Sequence, residues 1–248
     1  MNISYSIIAD KLTKTFGDFA AVDAISLEVK SGEIFGFLGA NGAGKTTAMR
    51  MFTGLSLPTS GKAFVAGFDV YTETEKIKKS IGYMSQKFSL YQDLTVKENI
   101  TFYGGIYGVY GAAMKTAMDE MLVKLGMAAE KNTLVSELPL GWKQKLSFSL
   151  AILHKPGIVF LDEPTGGVDP VTRRQFWTMI YEAAESGITV FVTTHYMDEA
   201  EYCNRVAIMV DGKIEAMGSP SELKLQHAAN SMDDMFYRLA RKASRNDM

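Results

Sequence analysis

The sequence has a single cysteine, Cys203, so no disulfide can form within the chain and a reducing compartment is expected. No apolar run approaches the ~20 residues that cross a bilayer as a helix. The opening Met1-Asn2-Ile3-Ser4-Tyr5 lacks the charged start and apolar centre of a secretory signal. These absences predict a cytoplasmic chain that meets a membrane through a partner or at its surface. Excess charge is also lacking: 26 basic against 28 acidic residues leave a net charge of -2. That balance argues against a dedicated nucleic-acid surface, and no nucleic-acid partner is expected. Repeats, low-complexity segments and flexible linkers are missing too. The 248 residues, 47% of them hydrophobic, suffice for one large α/β domain or two small ones with a sizeable core.

What is present centres on Gly39-Ala40-Asn41-Gly42-Ala43-Gly44-Lys45-Thr46-Thr47, which fits the phosphate-loop pattern G-x-x-x-x-G-K-[ST] without a mismatch. The apolar run Glu33 to Leu38 before it reads as a buried strand, and Thr46 to Phe52 after it reads as a helix. Strand, glycine loop and helix N-terminus form an anion cradle. Glycines let successive N–H groups face inward, and the helix dipole adds positive potential. In such a cradle Lys45 reaches the β- and γ-phosphates, and the Thr46 hydroxyl is a Mg²⁺ ligand.

Around this centre, residues 4–10 and 20–29 read as strands. The second alternates Val22, Ala24, Ser26 and Glu28 against Ala21, Ile25, Leu27 and Val29, with one slip. Thr15-Phe16-Gly17-Asp18 is a turn between them. Lys62 to Ala66, Ile81 to Met84, Gly157 to Leu161 and Gly187 to Thr193 read as strands, and Glu73 to Lys79 as a short helix. From about Thr95 to Lys131 the pattern is helical, and a further helix runs from Leu138-Pro139-Leu140-Gly141 to about Leu153. Pro170 to Ser186 reads as a helix. Val206–Val210 and Ile214–Met217 form a hairpin whose Asp211-Gly212 suits a type I′ turn. Residues 221–243 are mostly helical. The order is a mixed β start, an α/β core, a helical insert and a return to the core.

The second chemical signal is Ile158-Val159-Phe160-Leu161-Asp162-Glu163. An apolar strand delivers two acids at its C-terminal edge, where open α/β sheets bind ligands. Asp162 is placed to hold Mg²⁺ and Glu163 to act as a general base on water. Standing alone, the pair reads equally well as an acidic cap for the next helix. The phosphate loop tips that balance.

The phosphate loop, Asp162-Glu163-Pro164-Thr165 and Thr193-Thr194-His195 stand at the spacing found in ATP-binding cassette (ABC) transporter nucleotide-binding domains. The chain resembles that family over about residues 4–220. The resemblance implies an α/β phosphate-loop NTPase cassette with a RecA-like core, an antiparallel β subdomain and a helical subdomain at about 95–153. The cassette spans 1–218, and 219–248 resembles the accessory helices of cassettes serving type-2 exporters. It implies that Gly39, Asn41, Gly42, Ala43, Gly44, Lys45, Thr46 and Thr47 bind the nucleotide and that Phe16 stacks on adenine. Gln86 matches the glutamine that contacts Mg²⁺ or water and senses the transporter. Asp169 matches the loop that crosses a dimer interface, and it also suits the N-cap of the helix at Pro170. His195 matches the histidine that bonds the γ-phosphate and orients water.

One motif departs. Where relatives carry Leu-Ser-Gly-Gly-Gln, this chain has Leu138-Pro139-Leu140-Gly141-Trp142. The serine hydroxyl that would contact the opposite subunit's γ-phosphate is absent. Proline suits the first helical turn, and the N–H groups of Leu140 and Gly141 remain available to an anion, so the clamp is weakened rather than lost. The loop Lys87-Phe88-Ser89-Leu90-Tyr91-Gln92-Asp93-Leu94 holds three large apolar residues that are core fillers or, as the family implies, a docking surface for a membrane partner.

The function implied is that of the ATP-binding and ATP-hydrolysing subunit of an exporter, peripheral on the cytoplasmic face of the membrane. Its expected partners are a transmembrane permease and a second cassette, in a homo- or heterodimer or in tandem within one chain. ATP and Mg²⁺ are its ligands. Two other readings remain: a regulatory cassette with weak hydrolysis, or a soluble ABC ATPase outside transport.

Overall fold

The computed structural model describes residues 4–87 and 89–246. The antiparallel start is longer than expected. Strands β1 (Tyr5–Phe16) and β2 (Phe19–Lys30) pair over their whole length. The slip in the β2 alternation is a physical feature. Ala24 has φ 47°, and the register shifts on either side of Leu12 in the facing strand. An irregularity of this kind passes Val22 and Ile25 to the same face although they are three apart. Strand β3 (Ile34–Leu38), buried at every position, leads into helix α1 (Lys45–Phe52). Strand β4 (Ser60–Val65) returns to β1, followed by the two-residue β5 (Phe68–Asp69), too short to show in the sequence.

Helix α2 (Thr74–Ser80) and strand β6 (Ile81–Met84) come next. The helical stretch from Thr95 is divided into α3 (Val96–Ile106) and α4 (Gly111–Leu125), and α5 (Leu140–Ala151) follows. A capping box between Thr95 and Glu98 starts α3. Gly108, at φ 76°, breaks the chain before α4, and Gly126, at φ 67°, ends α4. Strand β7 (Ile158–Asp162), helix α6 (Pro170–Glu185), strand β8 (Thr189–Thr194) and a 3-10 turn at Met197–Tyr202 return the chain to the core. The hairpin β9 (Arg205–Val210) and β10 (Lys213–Gly218) turns through Asp211 and Gly212, both at positive φ as type I′ requires. Helices α7 (Pro220–Gln226) and α8 (Met232–Asn246) close the chain.

Two sheets result. One has the order β2-β1-β4-β5 and is antiparallel; the other has the order β10-β9-β3-β8-β7-β6 and is parallel except at β9–β10. The first core cluster lies between the sheets, with Phe35, Phe37, Phe52 and Phe160 gathered around Phe191. A second fills the other face of the parallel sheet beneath α6, and Met232, Met235 and Leu239 of α8 belong to it. The tail is thus packed onto the core. A third cluster holds α3, α4 and α5 together and includes Leu90 and Leu138.

Parallel strands all point their C-terminal ends one way. The ends of β3, β7 and β8 deliver the phosphate loop, Asp162-Glu163 and His195 to one edge of the sheet.

Candidate functional site

The phosphate loop begins directly after the last residue of β3 and ends in the first turn of α1. Gly44, the residue before α1, has φ 102° and Gly42 has φ 86°. A Cβ on Gly44 would strike the Ala21 carbonyl, so both the dihedral and the space demand glycine there. Lys45, 5% exposed, turns back over the loop and donates from Nζ to the carbonyls of Gly39 at 2.8 Å and Ala40 at 3.1 Å. Burial lowers its ammonium from the ordinary lysine value, and the Glu163 carboxylate works against that shift.

Asp162 ends β7 and is 4% exposed. It accepts a hydrogen bond from the Thr193 hydroxyl at 2.7 Å. Burial holds its carboxyl above the ordinary aspartate value, partly countered by that hydroxyl. Glu163 follows in a left-handed conformation, φ 48°. Its backbone N–H donates to the Thr193 carbonyl and hydroxyl, both at 3.1 Å. This bent backbone brings the Glu163 side chain to a point where three groups converge. Gln86 Nε2 donates to Oε2 at 2.9 Å, His195 Nδ1 stands 3.1 Å from the same oxygen, and Lys45 Nζ stands 3.5 Å from Oε1. Non-glycine residues at positive φ concentrate at functional sites.

A cavity of about 410 Å³ opens over the loop, lined by Asn41, Gly42, Gly44, Lys45, Thr46, Thr47, Gln86 and Glu163. Thr46 is exposed to it. Residues far apart in sequence therefore share one space. Two further members of its wall, Phe19 and Ala21, were missed. Phe16 pairs directly across from Phe19 at the end of the β1–β2 hairpin, and both rings are exposed, at 57% and 66%. The Lys14 ammonium sits 5.2 Å from the Phe16 ring centroid. The signal for Phe19 was its place in the same hairpin, two aromatics flanking a Gly-Asp turn.

A neighbouring cavity of about 430 Å³ joins Gln86 and Glu163 to Leu140, Gln144 and Gly166. Leu140 of the altered motif thus shares a cavity with Glu163 of the same chain. Pro139 stands one residue earlier than expected. It is the N-cap of α5, with ψ 150° and no side-chain cap, because the residue before a helix is extended and a pyrrolidine has no acceptor. Its carbonyl takes the N–H groups of Trp142 and Lys143. Leu140 is 43% exposed, whereas Leu138 is buried in the third core cluster. A Cβ on Gly141 would come within 2.6 Å of the Thr172 side chain, which places α5 hard against α6. Asp169 caps α6, accepting from the N–H groups of Val171 at 2.9 Å and Thr172 at 3.0 Å.

The apolar loop after Gln86 divides its roles. Leu90 fills the third core, while Tyr91 is exposed and meets Phe102 edge-on at 4.8 Å. Phe88 lies outside the described residues.

The residues suit Mg²⁺ by their chemistry. A threonine hydroxyl, a carboxylate and a carboxamide oxygen are all hard oxygen donors. Among the described residues no cluster of three or more His, Cys, Asp or Glu side chains could hold a metal alone. Among the same residues, no helix is long and apolar enough to cross a membrane.

Comparison with known proteins bears on this arrangement. The family described as ABC transporter matches residues 22–166. The probable multidrug ABC transporter ATP-binding protein YbhF of Escherichia coli (strain K12) is 50% identical over 228 residues, 92% of this chain but 39% of that protein. The chain therefore spans well under half of that relative. An ATP-binding subunit of an ABC transporter shares the fold, with a TM-score of 0.84 at 23% identity over 94% of this chain and 98% of that one. The ATP-binding cassette MJ0796, solved as a dimer in a post-hydrolysis state with ADP and Pi, has a TM-score of 0.78 at 25% identity, covering 86% of this chain and 98% of its own.

Proposed function

The chain belongs to the ABC transporter family, and from that premise we propose that it binds and hydrolyses Mg-ATP as the motor of an exporter. The observation that carries the reading is the convergence of Lys45, Gln86 and His195 on the Glu163 carboxylate at the mouth of the phosphate loop. Two chains, or this one and a second cassette, pair head to tail; the MJ0796 cassette, solved as a dimer, supports the pairing itself. Each site then combines one chain's phosphate loop with the helix start Leu138 to Gly141 and Asp169 of the other. A transmembrane permease is the partner moved by closing and opening of the pair. The chain then works at the cytoplasmic face of the membrane, with residues 219–248 an extension of the 1–218 cassette.

Each residue has a task. Backbone N–H groups of residues 42–47 and the α1 dipole hold the phosphates, while Phe16, joined by Phe19, offers an aromatic face to the base. Lys45 is already aimed into the loop and balances charge that grows on the transferred phosphoryl group. Thr46, Asp162 and the Gln86 carboxamide oxygen would hold Mg²⁺, which when bound offsets phosphate charge as a Lewis acid. Burial disfavours the charged form of Asp162, and a cation beside it would favour that form. Glu163 takes the proton of the attacking water, and His195, beside it, orients that water and the γ-phosphate. Because Lys45 and Glu163 contact one another, an entering γ-phosphate has to part them, so nucleotide binding and base release are coupled.

The test is steady-state phosphate release by the purified chain. Activity should require Mg²⁺ and should rise faster than linearly with protein concentration, since each site needs two cassettes. A protein that binds no nucleotide under any of these conditions would refute the proposal.

A further inference from the structure

The segment after Glu163 and the segment after His195 come from different elements, yet they meet at one buried acid. Glu199, in the Met197–Tyr202 turn, is 0% exposed. Its Oε1 accepts a hydrogen bond from the Thr165 hydroxyl and another, at 3.4 Å, from the Trp177 indole N–H. Arg173 Nε stands 3.7 Å from the same oxygen. Oε2 finds no hydrogen-bond partner among the described residues. A buried carboxyl left half-satisfied costs stability, and an apolar side chain of the same size would avoid that cost. What the acid adds is direction, since it fixes the loop after β7, helix α6 and the turn after β8 at one point.

Both reacting groups hang from that point. Thr165 lies two residues beyond Glu163, whose carbonyl accepts from the Gly166 N–H at 3.2 Å. The Glu199 N–H donates to the Tyr196 carbonyl at 3.2 Å, next to His195 in the chain. The Arg173 guanidinium lies 4.5 Å from the Tyr196 ring centroid, and the Tyr196 ring lies 4.1 Å from the His195 imidazole. We propose that Glu199 is a positioning residue. By holding Thr165 and the Arg173–Tyr196 stack in fixed register, it sets the 3.1 Å approach of His195 to Glu163. None of these contacts involves the phosphate loop directly, so loss of the network should lower turnover far more than nucleotide affinity.

The rate arm of this inference rests on the proposed ATPase activity; the spectroscopic arm does not. Thr165→Val keeps the shape and deletes the hydroxyl, and Thr165→Ser restores it. In Thr165→Val and Glu199→Gln, kcat should fall about tenfold, the scale of one hydrogen bond to a charged group felt in the transition state, with KM for ATP within about twofold. Thr165→Ser should recover most of that loss. In the ATP-free protein the His195 ring resonances, assigned with His195→Asn, should move in Thr165→Val and return in Thr165→Ser. Unchanged kcat and unmoved His195 resonances in a folded Thr165→Val protein would overturn the proposal, as would a raised KM at constant kcat. If Glu199→Gln does not fold, the Thr165 pair decides alone. If the parent hydrolyses no ATP, the proposed function fails while the His195 resonances still decide the positioning role.

Discussion

Replacing Glu163 by glutamine separates the two jobs of that side chain. The carboxylate accepts from Gln86 at 2.9 Å and faces Lys45 at 3.5 Å, with the two ion-pair partners 5% and 10% exposed, so little solvent screens them. A carboxamide can keep its oxygen toward Gln86, but its N–H₂ then faces the Lys45 ammonium, donor against donor. Losing one interaction between a buried cation and its acceptor costs about 1.5–3 kcal/mol and leaves Lys45 the Gly39 and Ala40 carbonyls as hydrogen-bond acceptors among the described residues. For a chain of this size that is a fall in Tm of about 3–12 °C without nucleotide. Catalysis should suffer more, because removing a general base lowers turnover by about 10²–10⁴. The phosphate cradle is untouched, so ATP still binds, and closed dimers that cannot reopen through hydrolysis should accumulate. Phosphate release measures the rate, and size-exclusion chromatography with Mg-ATP measures the dimer. A monomeric Glu163→Gln protein that turns over ATP at the parental rate would refute the assignment of the base. An unchanged Tm would refute the Lys45 contact.

Two more outcomes follow from the same geometry. Burial raises the Asp162 carboxyl in the folded protein, so the folded state holds that proton more tightly than the unfolded chain and loses stability as pH rises from about 4 through the raised value. Asp162→Asn should therefore raise Tm at neutral pH, keep the bond from Thr193, lose the advantage as pH falls through the raised value toward about 4, and abolish Mg-dependent turnover; a lower Tm at neutral pH would contradict the burial cost. Replacing Pro139-Leu140 by Ser-Gly supplies an N-cap hydroxyl, worth about 1 kcal/mol to α5, and a closer backbone approach. If the altered clamp limits hydrolysis, the rate of the assembled dimer should rise roughly ten- to hundred-fold. An unchanged or lower rate in a folded, ATP-binding protein would mean that Leu140 and Trp142 form a surface fitted to the partner.

The parts of the site legible in sequence were those carried by contiguous residues. A glycine loop between an apolar run and a helix, and two acids at the end of another apolar run, each state their own backbone setting. Their meeting at one sheet edge followed from parallel strands. The hairpin turn at Asp211-Gly212 was legible because only certain residues accept positive φ. Less was legible where the third dimension decides. Phe16 and Phe19 are equivalent in sequence, and only the hairpin's placement shows that Phe19 borders the cavity. Pro139 was expected inside the helix and stands as its cap, because helix ends are set by the extended residue before them, not by propensity. Glu199 reads as one acid in the surface-like run Met197-Asp198-Glu199-Ala200-Glu201. Nothing local marks it as the one that points inward to Thr165 and Trp177.

The central claim is that the phosphate loop holds ATP through Lys45, and the most direct measurement is equilibrium ATP binding by the parent and by Lys45→Ala. Among the described residues the Lys45 ammonium bonds loop carbonyls and pairs with Glu163, so its removal should leave the fold intact. At an ATP concentration 100 times Kd, the parent should gain about 2.7 kcal/mol of stability and show a matching rise in Tm. Lys45→Ala should show neither binding nor the rise. Equal ATP affinity in the two proteins would contradict the account.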